Sequence, residues 1–160
     1  MKPLMSHWMN LQDRAPIAAF VRTELAQLIP SGALTALTFA TPINVDPLQT
    51  NAWRAVWDSG TPGQFTIQVR GWYLFGASIT FVPLNANRAA LCLIAAGHIV
   101  AQQETNNLTG NAVFLNATAL VAANKGDILS CQVYQDSGVS MNTQTSAGDF
   151  RPNMWIMKVG

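Results

Sequence analysis

Charged residues are scarce in this chain: Asp, Glu, Lys and Arg make up 11% of its 160 residues, against about 25% in an average soluble domain. A small domain has a large surface and normally uses charge to keep that surface soluble. The deficit therefore favours a surface that is partly buried against partner molecules. The alternative is a neutral surface of Asn, Gln, Ser and Thr, which are abundant here.

The charges that are present exclude some partners. The formal net charge is +1, and the nine Lys and Arg residues are scattered, so the basic stripe of a nucleic-acid binder is missing.

No run of 18 or more apolar residues exists, and we expect no transmembrane helix and no membrane partner. Residues 1–10 lack the apolar core and cleavage site of a secretory signal. We expect assembly in a cytoplasm, with export only as part of a particle.

Groups suited to catalysis or metal binding are also few. His7 and His98 stand alone, the eight acidic residues occur singly, and the Gly-x-Ser-x-Gly pattern of a nucleophile elbow is absent. Cys92 and Cys131 lie in apolar runs and fit no zinc spacing, so we interpret them as buried free thiols, with a disulfide as the alternative. No cluster of oxygen ligands for calcium appears. We predict that the protein is not an enzyme and holds no cofactor or metal.

The most informative pattern present lies in residues 64–81, where two β-type runs meet at Gly71 with almost no charge. Residues 72–81 alternate with a period of two, which marks a strand with one deeply buried face. The first face carries Tyr73, Phe75, Ala77, Ile79 and Phe81, and the second carries Trp72, Leu74, Gly76, Ser78 and Thr80. The second face is only weakly polar. We expect it to be covered as well, by other copies of the chain.

Residues 1–32 differ in character from the rest and form a predicted N-terminal arm. Asp13 can cap a helix, Pro16 can occupy its first turn, and Pro30 to Gly32 can end it. Apolar residues then recur at helical spacing: Ile17, Phe20, Val21, Leu25 and Leu28. We predict an amphipathic helix over about 14–29, which packs either on its own domain or on a neighbour. The candidate docking residues are Trp8, Ile17, Phe20, Val21 and Leu25.

From residue 33 onward every signal is of the β type. Strands are predicted at 34–39, 53–57, 64–69, 72–82, 91–96, 99–103, 113–121, 128–134 and 154–159. A hairpin turn is predicted at Gly97, tight turns at 58–63 and 124–127, and long polar loops at 40–51 and 136–149. Short strands separated by turns predict an all-β jelly-roll sandwich of eight to ten antiparallel strands over residues 33–160.

The order of several residues resembles a known family. Phe65, the run Gly71-Trp-Tyr73-Leu-Phe75 and the turn Gly126-Asp127 resemble the globular head of complement-type proteins, which is related to the tumour-necrosis-factor jelly rolls. The resemblance covers about residues 34–160, although Val69-Arg70 replaces the usual Pro before Gly71. It implies a non-enzymatic domain that forms compact trimers and binds other macromolecules. The candidate subunit-interface or core residues are Trp53, Trp57, Phe65, Tyr73, Phe75, Phe81 and Trp155.

Jelly rolls similar to this family also occur in bacteriophage virion proteins, where they decorate heads or cap fibres. The low charge and the short arm suit that setting. Our first hypothesis is a homotrimeric capsid decoration or cement protein of the virion, which docks on the major capsid protein or another virion protein through its N-terminal arm. The alternative is a tail or fibre-tip module that recognises a glycan or protein on the host surface.

Overall fold

A computed structural model describes residues 18–23, 25–42, 57–144 and 151–159 of the chain. These residues form β-strands joined by turns, and none of them is helical. All strand pairs are antiparallel, which confirms the predicted all-β architecture. The strands are β1 (Ala18–Arg22), β2 (Leu28–Ile29), β3 (Thr35–Ala36), β4 (Thr41–Pro42), β5 (Gln64–Thr66), β6 (Gly71–Ala95), β7 (His98–Ala123), β8 (Ile128–Gln135), β9 (Met141–Asn142) and β10 (Asn153–Lys158).

Two long strands organise the molecule. β6 and β7 form one hairpin that pairs from Gly71 opposite Ala123 to Ala95 opposite His98. The turn lies at the predicted place, because Ala96 and Gly97 take positive φ angles of 47° and 83°, a combination that tight hairpin turns require. The sequence predicted shorter, separate strands here. Register shifts near residues 81–85 and 93–94 let one continuous strand pair bend instead of ending.

The bent hairpin runs through two layers of a sandwich. Its open end, residues 71–81 and 113–123, continues through β10, β1 and β4; we call this the first layer. Its turn end pairs through residues 89–95 with β8, which carries β3 and β5 on its other side; this is the second layer. β2 and β9 form a separate two-stranded sheet.

A single hydrophobic core lies between the layers. The alternation predicted for residues 73–81 is confirmed, since Tyr73, Phe75, Ala77, Ile79 and Phe81 are all at most 2% exposed. They meet the inward residues of the second layer, such as Leu91, Leu93 and Val133, in one cluster. The rings of Phe65 and Phe75 pack edge to face with centroids 6.4 Å apart. Burial of large aromatic rings provides much of the driving force for folding.

The helix predicted over residues 14–29 is wrong wherever this segment is described. Residues 18–22 form β1, which pairs with β10 on one side and β4 on the other, and residues 28–29 form β2. The apolar spacing was compatible with either structure in so short a run, and pairing within the sheet decided between them. Val21 is fully buried in the core. Residues 1–17 lie outside the described residues, and the described residues on both sides of residue 32 contribute strands.

The buried side chain of Gln135, at the end of β8, forms hydrogen bonds with β2 and with the loop that follows β8. The amide nitrogen of Gln135 donates to the carbonyl of Ile29 at 3.1 Å and to that of Val139 at 2.8 Å. Its amide oxygen accepts the backbone N–H of Ser137 at 2.7 Å. Gln135 is fully buried, and a buried amide is tolerated only when its polar atoms are satisfied in this way.

We expect the substitution Gln135→Ala to lower the free energy of unfolding by about 3 kcal/mol, because it leaves two carbonyls and one N–H without their partner. The matched control is Gln132→Ala on the same strand, where the side chain is only half-buried; its cost should be about 0.5 kcal/mol or less. Urea unfolding of both variants measures the difference. Equal costs for the two would contradict the assigned role of Gln135.

Buried ionisable groups, among them Tyr73 and Cys131, make the fold sensitive to alkaline pH. Burial raises the pKa of the Tyr73 hydroxyl, which donates to the Val69 carbonyl, and strongly raises the pKa of the Cys131 thiol. Both groups must be neutral in the native state. Their contribution to stability is therefore complete below their ordinary pKa values of 10.0 and 9.0 and is lost as the pH rises above them.

The free energy of unfolding should accordingly fall above about pH 9, since the ordinary pKa of the thiol is 9.0. Cys131→Ala removes one of these groups, and its stability should fall less steeply with pH than that of the unchanged chain. The slope of stability against pH between 7 and 10 is the quantity to measure. Parallel slopes for the two proteins would exclude a contribution from Cys131.

Candidate functional site

The outer surface of the first layer is exposed and apolar. Trp72, Phe114 and Leu120 are 52%, 50% and 58% exposed, although all three belong to paired strands. Half-buried apolar side chains complete the surface. We define the apolar face as Trp72, Leu74, Phe114, Leu120, Trp155 and Met157. Cross-strand pairing makes it continuous, because Leu74 lies opposite Leu120 on one side and Met157 on the other.

A glycine shapes the middle of the apolar face. Gly76 pairs with Trp155 of β10, and a Cβ atom placed on Gly76 would lie only 2.5 Å from Cζ2 and 2.6 Å from Cε2 of the Trp155 ring. The indole therefore lies against the backbone of β6, where any side chain would displace it. This close approach flattens the face between β10 and β6 and leaves a surface suited to packing against another flat surface.

No charged residue occupies an outward position in the paired segments 72–80, 114–122 and 153–157 of this layer. The positions that are not apolar carry small or amide side chains: Gly76, Ser78, Thr80, Asn116, Thr118 and Asn153. A sheet that faces water on one side normally alternates apolar and strongly polar residues. The first layer does not, so its outer surface has the composition of a covered surface.

The outer surface of the second layer has the opposite character. Arg88 forms an ion pair with Glu104 at 2.9 Å, and its guanidinium lies 5.2 Å from the centre of the Tyr134 ring. Gln102 donates to the same carboxylate at 2.9 Å, and Asp136 accepts the backbone N–H of Arg88 at 2.8 Å. Such a network is typical of a surface in contact with water. The two outer surfaces of the sandwich therefore suit different environments: that of the first layer suits a covering partner, and that of the second layer suits water.

The aromatic residues selected from the sequence lie mostly on the inner side. Trp57, Phe65, Tyr73, Phe75 and Phe81 all belong to the subunit's own core. Both cysteines are buried and free, as interpreted. Trp53 lies outside the described residues. Trp155 is the one described member of that set on the apolar face.

The candidate docking residues of the arm are not brought together among the described residues. Val21 is buried, whereas Leu25 is 76% exposed, and the backbone of Phe20 pairs with that of Trp155. Trp8 and Ile17 lie outside the described residues.

The sequence analysis missed most of the apolar face as a site. Phe114, Leu120 and Met157 were not predicted, whereas the face of β6 that carries Trp72 and Leu74 was expected to be covered by other copies of the chain. A usable signal was present in the weakly polar second face of residues 72–80. The register between β6, β7 and β10, which aligns these residues with Phe114, Leu120 and Met157, could not be obtained from the sequence.

Two concavities lie near the end of β7. The first has a volume of about 450 Å³ and is lined by Arg70, Gly71, Trp72, Ala122, Ala123 and Asn124. The second, of about 430 Å³, has His98 and Asp127 in a mainly apolar lining. The Asp127 carboxylate accepts the backbone N–H of Asn124 at 2.8 Å. Asp127 therefore orders the tight turn that the sequence predicted at residues 124–127.

Within residues 18–23, 25–42, 57–144 and 151–159, no group of three or more His, Cys, Asp or Glu side chains is placed to hold a metal ion. The same residues include no helix with the length and apolarity of a membrane span.

No protein-family model matches the chain, and no curated protein matches it. Solved structures do. The globular domain of zebrafish complement 1qA protein matches with a TM-score of 0.60 and 15% identity, covering 89% of this chain and 95% of that one. Eiger, a tumour-necrosis-factor protein of S. frugiperda, matches with 0.63 and 12% over 91% and 93%. Murine APRIL matches with 0.65 and 8% over 89% and 98%.

At these identities the likeness concerns the fold alone. It agrees with the resemblance that Phe65, Tyr73, Phe75 and the Gly126-Asp127 turn carry in the sequence. In this chain the fold consists of two antiparallel layers around one core. The chain therefore has the jelly-roll fold of complement globular heads and tumour-necrosis-factor proteins.

Proposed function

We propose that the protein is a non-catalytic structural module that works as a homotrimer, with the apolar face buried between subunits. The observation that carries this proposal is the difference between the two outer surfaces. The first layer exposes Trp72, Phe114 and Leu120 on an uncharged sheet, whereas the second layer carries the Arg88–Glu104 ion pair. The three-fold symmetry rests on the trimers that the sequence resemblance implies.

The energetics of the apolar face suit subunit association. Complete burial of a large apolar side chain stabilises by about 1.5–3 kcal/mol, so the exposed half of each of these three residues offers about 1 kcal/mol. Three subunits that each bury such a surface gain enough to offset the entropy lost on association only if the packing is close. The flat contact between Trp155 and Gly76 favours close packing.

Substitution of Leu120 by Asp should dissociate the assembly, because it places a charge in the middle of the apolar face, where burial would leave it unpaired. Light scattering should give three times 17.3 kDa, about 52 kDa, for the unchanged chain and 17.3 kDa for the variant. The matched control is Val139→Asp, at a residue that is 61% exposed and away from this face; it should keep the larger mass. A 17.3 kDa species for the unchanged chain at micromolar concentration would overturn the proposal.

We further propose that the trimer is a decoration or cement protein of a bacteriophage head. The support is compositional: charged residues make up 11% of the chain, and the apolar face accounts for part of that deficit through self-association. In this proposal the fastening segment is limited to residues 1–17, because residues 18–22 form β1 inside the sheet.

Deletion of residues 1–17 should leave a folded protein with the mass of a trimer that no longer sediments with phage heads. The measurement is co-sedimentation with heads that lack the protein, and a double substitution on the second layer, Gln102→Ser with Gln132→Ser, serves as a control that should still bind. Normal sedimentation of the shortened protein would refute the role of this segment. Its failure to trimerise would instead point to a part of residues 1–17 in the fold.

A further inference from the structure

The concavity at the end of the apolar face differs from the rest of that face, because polar side chains line it. Trp72 of β6 pairs with Ala122 of β7. Two residues beyond this pair, just past the last paired residues Gly71 and Ala123, Arg70 and Asn124 continue the same side of the two strands. Arg70, Trp72, Ala122 and Asn124 therefore share one surface at one strand end, and all four line the pocket of about 450 Å³.

The polar groups of this pocket are free to receive a ligand. The guanidinium of Arg70 and the carboxamide of Asn124 take part in no hydrogen bond or ion pair among the residues that the structure describes. Asn124 is held only through its backbone, whose N–H donates to the Asp127 carboxylate at 2.8 Å and whose carbonyl accepts from the N–H of Asp127 at 3.1 Å. Its position is thereby set while its side chain stays available.

The neighbouring carboxylate of Asp127 is not an ion-pair partner of Arg70. The one carboxylate that the structure places in this turn, that of Asp127, is directed to the backbone of Asn124. By contrast, the other exposed arginine of the hairpin, Arg88, is paired with Glu104 and stacked on Tyr134. An exposed arginine without a carboxylate partner is well suited to bind a carboxylate through two parallel hydrogen bonds.

The apolar part of the pocket is flat. The Trp72 indole is 52% exposed and forms one wall. Ala122 and Gly71 leave the space beside the ring open, since neither has a side chain large enough to fill it. An aromatic wall with a few converging polar groups is a common design for binding a small molecule.

We infer that this pocket binds a sugar acid: a pyranose ring that packs on the Trp72 indole, with a carboxylate held by Arg70 and a hydroxyl held by Asn124. The ring offers a flat face of C–H groups to the indole, and the carboxylate supplies the negatively charged partner that the Arg70 guanidinium lacks. The same group is present in a free hexuronate and in an acidic polysaccharide. Every lining residue comes from one subunit, so the pocket does not need the trimer to form; in the trimer, the inference requires that Trp72, at the end of the apolar face, stays accessible while Phe114 and Leu120 are covered.

The test uses the full chain and titration calorimetry with three probes: sodium glucuronate, a uronate-containing oligosaccharide, and methyl glucoside as the neutral match of the ring. Both acidic probes should bind with saturation, and the neutral sugar should bind at least tenfold more weakly. Arg70→Gln should reduce the affinity for both acids at least tenfold. Arg88→Gln removes the same charge on the second layer and should change it less than twofold.

Several outcomes would overturn the inference. They are equal affinity for glucuronate and methyl glucoside, no saturable binding of either acid at millimolar concentration, or equal losses in Arg70→Gln and Arg88→Gln. If only the oligosaccharide binds and Arg70→Gln does not weaken it, the acidic ligand binds elsewhere and the inference is also overturned. If only the oligosaccharide binds and Arg70→Gln abolishes that binding, the result supports the pocket and assigns the polymer as its ligand.

The mass of each variant separates this inference from the proposed trimer. Arg70→Gln should keep the mass of the unchanged chain, so a loss of sugar binding in that variant cannot come from dissociation. Trp72→Ala should lose the acidic sugars as well, and its mass shows whether the indole also serves the subunit contact. Unchanged sugar binding in Trp72→Ala would contradict the stacking of the ring.

Discussion

The continuous pairing of β6 with β7 is the constraint on which the rest of the structure depends. This hairpin contributes two strands to each layer, and the edge of β6 that faces away from β7 pairs with β10 in the first layer and with β8 in the second. A slip of one residue would exchange the inner and outer faces of β6 in both layers. Tyr73 and Phe75 would then leave the core, and Trp72 and Leu74 would enter it. The core and the apolar face are thus set by the same register.

The position of the few charges follows from this arrangement. The core takes one side of each layer, and the second layer turns its polar side chains, including the Arg88–Glu104 pair, to water. The outward positions of the first layer receive no charge in the paired segments 72–80, 114–122 and 153–157. The scarcity of charge is therefore greatest on the outer surface of the first layer and is not spread evenly over the molecule. Self-association through that surface is the simplest physical reason for such a distribution.

The proposed assembly and the proposed sugar pocket use different chemistry at the two ends of one surface. The middle of the apolar face has flat, uncharged contacts, such as Trp155 on Gly76, which suit a protein partner. The strand end adds Arg70 and Asn124 to an exposed indole, which suits a small polar ligand. A trimer that carries three such pockets could hold a polysaccharide at several points, and multiple contacts strengthen weak individual binding.

Much of the fold could be predicted from the sequence, because it is encoded locally. Alternation over residues 73–81 identified the core side of β6, and Gly97 and Gly126 marked turns that need positive φ. The aromatic order around Tyr73 and Phe75 indicated the jelly-roll type. The predicted helix failed for an equally specific reason. Residues 18–22 carry a short apolar run that is compatible with a helix or a strand, and only pairing with β10 and β4 made this segment a strand.

The candidate site was determined by tertiary structure. The sequence alone established that Trp72 and Leu74 share a weakly polar face, since neighbours on one strand need no other strand to define them. Which residues of β7 and β10 extend that face depends on register, and the opposition of Leu74 to Leu120 and of Trp155 to Gly76 joins positions that are up to 79 residues apart. Pairing over such separations depends on the packing of the whole core, and no local pattern specifies it.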